Sequence, residues 1–196
     1  VANSLSFDSA SQDHLDRTPA SAGNQKKFTF STWFKLGQIA TQYSGVFSTS
    51  TDNSGSGGNV SRYSPLFVLN QNSAEKNPFG YDYNGSGYVW YYSMNNAIDL
   101  EDVSQWHHVV VRIDTTQSTE ADRMRVYIDG NQITSFSSTV YPSLNAEIAT
   151  TKSGYYHDIG LGYNARWEGC LAEMNLLDGQ SYGPDTFGIT DTSTWC

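Results

Sequence analysis

The sequence has little charge, few prolines and two cysteines, and it has no long apolar run. Charged residues make up 16% of its 196 residues, and the 11 basic and 20 acidic side chains give a formal net charge of −9. The basic residues form no cluster. Recognition of a nucleic-acid backbone or of an anionic membrane depends on clustered cations. We therefore predict that the protein binds neither.

Membrane-spanning and export segments are also missing from this sequence. No apolar run approaches the ~20 residues that a spanning helix needs, so we predict no membrane insertion. The N-terminus lacks a basic segment followed by an apolar one. The sequence begins at Val1 rather than Met, and we therefore expect a processed protein or a fragment.

What the sequence does contain is typical of an all-β domain. Aromatic residues make up 14% of the chain, 17 residues are Gly, and most of the polarity comes from Ser, Thr, Asn and Gln. Short alternating segments separated by turn signals run throughout, without an internal repeat or a long amphipathic helix. We predict one all-β domain that spans residues 1–196.

The stretch 105–133 predicts a β-hairpin. On its first arm one face carries His107, Val109, Val111 and Ile113, and the other carries Trp106, His108, Val110 and Arg112. On its second arm Met124, Val126 and Ile128 alternate with polar residues. The period of two predicts strands that bury one face. Asp129-Gly130 then predicts a tight turn into a second hairpin.

Two further segments, residues 28–35 and 88–92, predict strands whose aromatic residues are mostly buried. The alternation of residues 28–35 predicts a strand, and we expect Trp33 to be covered rather than to form a site. In residues 88–92, Tyr88, Trp90 and Tyr92 share one face by period-two counting, and Val89 and Tyr91 share the other. We expect Tyr88 and Tyr92 to pack between two sheets.

No motif predicts catalysis. Retaining glycoside hydrolysis needs two carboxylates about 5 Å apart, whereas Glu168 and Glu173 are an odd number of residues apart and would lie on opposite faces of a regular strand. The histidines His14, His107, His108 and His157 lack metal-ligand spacing. We predict that the protein is not an enzyme.

The aromatic residues predict a carbohydrate site. Sugar rings stack on Tyr and Trp through their apolar faces, while Asn, Asp and Gln bond their hydroxyls, so lectin sites mix these residues. Residues 79–88 have that mixture, with the candidates Tyr81, Asp82, Tyr83 and Asn84, and Trp90 just beyond them is a further candidate. A second candidate group is Asn164, Arg166 and Trp167. The alternative is that these rings pack between the sheets.

Two motifs resemble a known superfamily. Trp106-His107-His108-Val109 followed by Val126-Tyr127-Ile128-Asp129-Gly130, and Glu168-Gly169-Cys170-Leu171-Ala172-Glu173-Met174 further on, are similar to strands of laminin-G-like and pentraxin-like domains. These domains form a branch of the concanavalin A-like superfamily. The resemblance implies a jelly-roll sandwich of two antiparallel sheets.

A narrower resemblance concerns the source of the chain. Residues 3–8, 15–19, 28–33 and 176–180 together resemble such domains in tailed-phage virion proteins. This implies a non-catalytic carbohydrate-binding or adhesion domain on a tail fibre or capsid surface, at the virion surface. Its partners would be host-surface glycans, other virion proteins and further copies of itself in a homo-oligomer. One alternative is a purely structural virion protein, such as a capsid decoration or fibre joint, and a third is a polysaccharide-degrading enzyme.

Calcium and a disulfide are two further expectations. Related laminin-G-like and pentraxin-like domains often hold calcium, and Asp52-Asn53, Asp99 to Asp102 and Asp158 could supply oxygen ligands, without a diagnostic spacing. We predict no cofactor, with a bound calcium ion as the alternative. Cys170 and Cys196 could form one disulfide, which would contribute on the order of 3 kcal/mol. The alternative is a buried free thiol at Cys170.

Overall fold

The computed structural model describes residues 1, 3–38, 43–51, 63–70, 77–95, 100, 102–191 and 194–195. These residues form two large sheets in which paired strands are antiparallel, which confirms the predicted sandwich. No helix of the described residues is long and apolar enough to cross a membrane.

The first sheet has six strands in the order β1-β15-β3-β8-β9-β10. Their bounds are β1 Leu5–Phe7, β3 Lys27–Leu36, β8 His107–Asp114, β9 Met124–Ile128, β10 Asn131–Gln132 and β15 Gly169–Asp178. The predicted hairpin 105–133 thus supplies β8, β9 and β10, with the predicted turn between β9 and β10.

The second sheet has seven strands in the order β11-β7-β6-β5-β4-β12-β2. Their bounds are β2 Leu15–Arg17, β4 Tyr43–Ser50, β5 Tyr63–Asn70, β6 Phe79–Tyr83, β7 Tyr88–Met94, β11 Phe136–Val140 and β12 Tyr156–Ile159. Two short hairpins pair β13 Leu161–Gly162 with β14 Ala165–Arg166, and β16 Thr190–Asp191 with β17 Thr194–Trp195. Single 3-10 turns occupy Glu120–Asp122, Ala149–Thr151 and Pro184–Thr186.

The core lies between the inner faces of the two sheets. The six-stranded sheet contributes the alternate residues that the sequence predicts, such as Val109, Val111 and Ile113, all fully buried. From the seven-stranded sheet, Trp90, Tyr92 and Met94 face them. Burial of large aromatic and aliphatic side chains is the main stabilising contribution in such a sandwich.

The carboxylate of Asp129 fastens the turn after β9 to the start of β8. Its Oδ2 accepts a hydrogen bond from Nδ1 of His107 at 2.8 Å, and its Oδ1 accepts one from the backbone N–H of His108 at 2.7 Å. Asp129 has a φ of 48°, a left-handed conformation that Asp tolerates better than most residues. The two distant parts of the Trp-His-His and Asp-Gly pattern therefore form one contact.

The outer face of the six-stranded sheet is covered by the C-terminal segment that follows β15. His108 stacks between Trp33 at 4.8 Å and Trp195 at 5.7 Å, measured between ring centroids. The indole N–H of Trp195 donates to Nδ1 of His108 at 3.0 Å. Because an indole only donates, the neutral ring carries its proton on Nε2, which donates to Oγ of Ser31 at 2.8 Å. Trp33 is covered, as predicted.

This environment makes the stability of the fold depend on pH. Burial lowers the pKa of His108 from 6.5 to about 4, partly opposed by the charge of Asp129. The unfolded chain therefore binds a proton near pH 6.5 that the folded chain still excludes. The contribution of His108 to stability is fully present above pH 6.5 and is lost as the pH falls towards 4. We expect the free energy of unfolding to fall on the order of 2 kcal/mol between about pH 7.5 and pH 5.

Urea denaturation at a series of pH values measures this loss. Carboxyl groups titrate mainly below this window, and His157, whose pKa is also lowered by burial, adds a loss of the same sign. The variant H108Q should show a shallower slope than the parent, and H157Q should retain most of it. An unchanged slope in H108Q would contradict the assignment.

The predicted disulfide falls partly outside the described residues. Cys170 is partly buried on β15, opposite Ser6 and Lys35, and forms no disulfide with a described residue. Cys196 lies outside the described residues, so the bridge stays a prediction.

Candidate functional site

A second aromatic cluster lies on the outer face of the seven-stranded sheet, separate from the core. We call it the outer aromatic cluster. Its rings belong to Tyr43, Tyr63, Phe79, Tyr81, Tyr83, Tyr88, Tyr91 and Tyr163, with Val68 beneath them. Residues from β4, β5, β6, β7 and the β13–β14 hairpin therefore meet on one surface.

The β6–β7 hairpin supplies the most exposed part of this cluster. Tyr81 and Tyr91 are cross-strand partners, so their side chains lie on the same face. The ring of Tyr88 lies over them, with its centroid 5.0 Å from Tyr91, 5.4 Å from Tyr81 and 5.7 Å from Tyr83. Tyr88 is 51% exposed, so this group of rings is open to a ligand.

The exposure of Tyr88 corrects the prediction that it packs between the sheets. Asp82 pairs with Trp90, whereas the next residue, Tyr83, pairs with Tyr88. Val89 is therefore an extra residue, a β-bulge that reverses the side on which Tyr88 lies. Tyr92 lies beyond the bulge and is fully buried, as predicted. The Gly-rich turn at residues 85–87 was the only signal in the sequence that an irregularity could follow.

The β13–β14 hairpin adds Tyr163, which the sequence analysis missed. Tyr163 and Asn164 have φ values of 58° and 57°, as in the type I′ turn that favours two-residue hairpins. The Tyr163 N–H donates to the hydroxyl of Tyr63. Its ring packs edge-on against Tyr43 at 4.7 Å and Phe79 at 5.1 Å. A left-handed tyrosine costs free energy, and these contacts hold it in place.

The side chains of the outer aromatic cluster are uncharged, and the nearby carboxylate of Asp158 is buried beneath the surface. Burial, and then the neighbouring phenols Tyr91 and Tyr83, raises the pKa of Tyr88 above its ordinary value of 10. Burial likewise raises the pKa of Tyr81 and of Tyr163. These phenols therefore keep their protons at physiological pH and act as hydrogen-bond donors as well as acceptors.

Three predicted site residues are corrected by their burial. Asp82, Trp90 and Trp167 have no exposed surface, so none of them can contact a ligand directly. Trp90 and Trp167 belong to the core between the sheets. The carboxylate of Asp82 accepts the backbone N–H of Ala149 at 2.8 Å and fastens the Ala149–Thr151 turn. The alternation of β6 places Asp82 on the inner side, opposite Tyr81.

The remaining predicted residues lie at or away from the cluster. Tyr81 and Tyr83 belong to it, and Asn84 is exposed in the adjoining turn. Oδ1 of Asn84 accepts two backbone N–H groups of that turn, and these bonds do not use its amide N–H groups. Asn164 is exposed beside Tyr163. Arg166 points elsewhere, because its guanidinium contacts the carbonyl of Gln12 at 2.8 Å.

The calcium candidates do not form a cluster in the described part of the chain. Asp52, Asn53, Asp99 and Glu101 lie outside the described residues. The carboxylate of Asp102 accepts hydrogen bonds from Ser104 and Gln105, and Asp158 is buried on β12. No group of three His, Cys, Asp or Glu side chains among the described residues could hold a metal.

Comparisons with known proteins agree with this architecture. The family model described as "Concanavalin A-like lectin/glucanases superfamily" matches residues 9–180. No curated protein matches the chain.

Solved structures with the same fold include domains of an arabinanase, a laminin and a sialidase. Domain 4 of the arabinanase AbnA from Geobacillus stearothermophilus, in complex with arabinotriose, is 15% identical over 81% of this chain and 64% of its own, with a TM-score of 0.53. Domains LG4-5 of the mouse laminin alpha1 chain are 14% identical over 93% of this chain, with a TM-score of 0.58. The CBM40 of a Ruminococcus gnavus IT-sialidase, bound to α2,3-sialyllactose, is 13% identical over 88% of this chain, with a TM-score of 0.53.

The lengths of these matches differ. The chain covers 95% of the CBM40 chain, 64% of the arabinanase domain and 46% of the laminin chain, so it spans less than two thirds of the last two. At these identities the likeness shows the fold. Since the family model matches most of the sequence and the two antiparallel sheets agree with it, this chain belongs to the concanavalin A-like lectin/glucanases superfamily.

Proposed function

We propose that this protein is a non-catalytic carbohydrate-binding domain and that glycans bind to the outer aromatic cluster. The observation that carries the proposal is the exposed tyrosine group around Tyr88, supported from below by buried rings. Soluble proteins rarely leave such rings open without a ligand or partner. Ligand sites combine an apolar, mostly aromatic lining with a few polar groups.

The chemistry of this surface suits a sugar. Tyr side chains offer a flat apolar face and a hydroxyl, and they lose little conformational entropy on binding. Here neighbouring side chains already hold the rings in place, so the entropy cost of ordering them on binding is smaller still. Asn84 and Asn164 at the margins can bond sugar hydroxyls. The fold is one that carbohydrate-binding modules share, among them the arabinotriose- and sialyllactose-bound domains.

The non-catalytic part of the proposal is supported by the described carboxylates near this face. Asp82 and Asp158 are fully buried, and the carboxylate of Glu168 accepts hydrogen bonds from the backbone N–H and the hydroxyl of Ser9. A polysaccharide-degrading enzyme would need two carboxylates at a bound sugar. The proposed biological setting is a phage virion surface where the domain engages host glycans, and its support is the sequence motifs of residues 3–8, 15–19, 28–33 and 176–180.

A purely structural virion protein is the second candidate, favoured by an apolar groove at the sandwich edge. The groove has a volume of about 240 Å³ and is lined mainly by Leu5, Phe7, Leu15, Ile159, Leu171 and Met174. Leu5 and Leu15 are 57% and 49% exposed, as expected of a subunit contact. Sedimentation that shows a stable oligomer, lost in a Leu5→Ser, Leu15→Ser variant, together with no glycan binding, would establish this role.

Replacing Tyr88 by Ala tests the proposed site. A glycan array, run with calcium and again with a chelator, identifies the glycans that the domain binds, and calorimetry measures their affinity. We expect Tyr88→Ala to weaken binding at least about tenfold, because exposed tyrosines on supporting rings act as binding hot spots. The stability should fall by about 1 kcal/mol or less, since the side chain is half exposed.

The matched control is Tyr182→Ala. Tyr182 is 42% exposed but lies outside the outer aromatic cluster. Its backbone N–H donates a hydrogen bond to the hydroxyl of Thr29, on the six-stranded sheet. Its replacement should leave the affinity unchanged. Equal binding by the Tyr88 variant and the parent would move the site elsewhere, and an array without any binding would reject the proposal.

A further inference from the structure

We infer that the glycan bound by the outer aromatic cluster is uncharged, so that its binding is independent of salt. This inference rests on the proposed function, because it names the chemical class of ligand for the same site. It starts from the distribution of charge over the seven-stranded sheet.

The strands that carry the cluster hold almost no charge. Strands β4, β5, β6, β7 and β11 contain one charged residue between them, Asp82. That carboxylate is fully buried on the inner side, where it bonds to Ala149. The described surface of these five strands therefore has no formal charge of either sign, although the whole chain carries −9.

The hairpin that adjoins the cluster does not supply a cation either. Arg166 is its one basic residue, and Nη1 of Arg166 contacts the carbonyl of Gln12 and Nδ1 of His14. These partners lie in the segment that leads into the edge strand β2. Among the described residues, no Lys, Arg or His therefore contributes to the outer aromatic cluster.

An acidic sugar would bind this surface poorly. A carboxylate or sulfate must give up water, and only a cation or several convergent donors compensate for that loss. Phenol hydroxyls are neutral donors, and the raised pKa of Tyr88 and Tyr163 shows that their surroundings disfavour added negative charge. The net charge of −9 adds long-range repulsion of a polyanion at low salt.

A cationic sugar would find aromatic ring faces on this surface but no exposed carboxylate among the described residues of its strands. Ring faces attract cations, but the described surface of β4, β5, β6, β7 and β11 has no exposed carboxylate to pair with an amine. Asp158 on β12, whose charge acts on Tyr63, is fully buried. A neutral sugar needs no charged partner on this surface, because stacking and hydrogen bonds to hydroxyls require no charge. Contacts of this kind are not screened by salt, whereas charged contacts weaken over distances of ~10 Å at 0.1 M salt.

Matched pairs of oligosaccharides test the inference. The pairs are lactose with α2,3-sialyllactose, xylohexaose with its glucuronate-substituted form, and N-acetylchitohexaose with the chitosan hexamer. Each affinity is measured by calorimetry at about 20 mM and about 500 mM NaCl. We expect binding of at least one neutral member, at least about tenfold tighter than its charged partner and changed less than about twofold by salt.

Variants separate this inference from the proposed function. Tyr88→Ala should abolish binding of the neutral ligand. Asn84→Lys, an exposed substitution beside the cluster, should improve the affinity for the acidic partner at low salt only. Tight, salt-sensitive binding of an acidic or cationic member that Tyr88→Ala abolishes would overturn the inference and leave the proposed function standing. No binding of any member or of any array glycan would overturn both.

Discussion

Replacing Trp90 or Trp167 by Ala is expected to lower the free energy of unfolding by about 3–5 kcal/mol each, as for other large core aromatic residues. Both side chains have no exposed surface. Trp90 stacks on Tyr92 with centroids 6.1 Å apart, and Trp167 meets Phe34 edge-on at 5.8 Å. Their removal leaves a cavity that the rigid sheets cannot fill.

Urea denaturation at neutral pH measures this effect, with Tyr88→Ala as the control. That control removes an aromatic ring from the same strand as Trp90 but from the exposed face, so it should reduce stability several-fold less. If the Ala variants do not fold, the milder variants Trp167→Phe and Trp90→Phe are measured in their place. No described residue accepts a hydrogen bond from either indole N–H, so the Phe variants lose packing alone.

The same variants distinguish a core role from a binding role. Trp167→Phe should retain the parent affinity for glycan at a temperature where it is folded, whereas Tyr88→Ala should lose affinity while it stays stable. Small stability losses with large affinity losses for the tryptophan variants would instead place these residues at the binding surface.

Replacing Gly45 by Ala is expected to destabilise the protein by about 3 kcal/mol and to weaken glycan binding as well. A Cβ at Gly45 would lie 2.3 Å from the backbone nitrogen of Gly162 and 2.4 Å from its Cα. Both neighbours are backbone atoms, so no side chain can move aside. The β13–β14 hairpin must shift away from β4, and it carries Tyr163 with it.

Gly87→Ala is the matched control. Nothing lies within 4 Å of a Cβ built on Gly87, although this glycine directly precedes the exposed Tyr88. Its replacement should change the free energy of unfolding by less than about 0.5 kcal/mol. Calorimetry then compares the affinity of both variants for a glycan that the parent binds. Equal stability of Gly45→Ala and the parent would contradict the close approach of the hairpin.

Much of the fold was predictable because strand hairpins are local. The alternation of β8 and β9 and the Asp-Gly turn between β9 and β10 need only near neighbours in the chain, and period-two counting correctly grouped the residues that share a face. The same counting failed at Tyr88 because Val89 is a bulge. A bulge is decided by pairing between two strands, and the sequence of one strand does not show it.

The candidate site was predictable only in part. Tyr81, Tyr83 and Asn84 follow one another in the sequence and could be proposed from composition. Tryptophan is a common sugar-binding residue, yet the side chain of Trp167, which follows the β13–β14 hairpin, packs in the core. Tyr163 could not be found, because its ring reaches the site only when the hairpin crosses β4 at Gly45.

The sequence by itself determined the all-β class and the central hairpin, because these properties depend on residue type and short spacing. The tertiary structure decided which aromatic residues are covered and which are open. That outcome depends on two sheets, a bulge and a hairpin coming together across more than a hundred residues. Burial is a property of the assembled surface, and it separates Trp90 from Tyr88 although they lie on one strand.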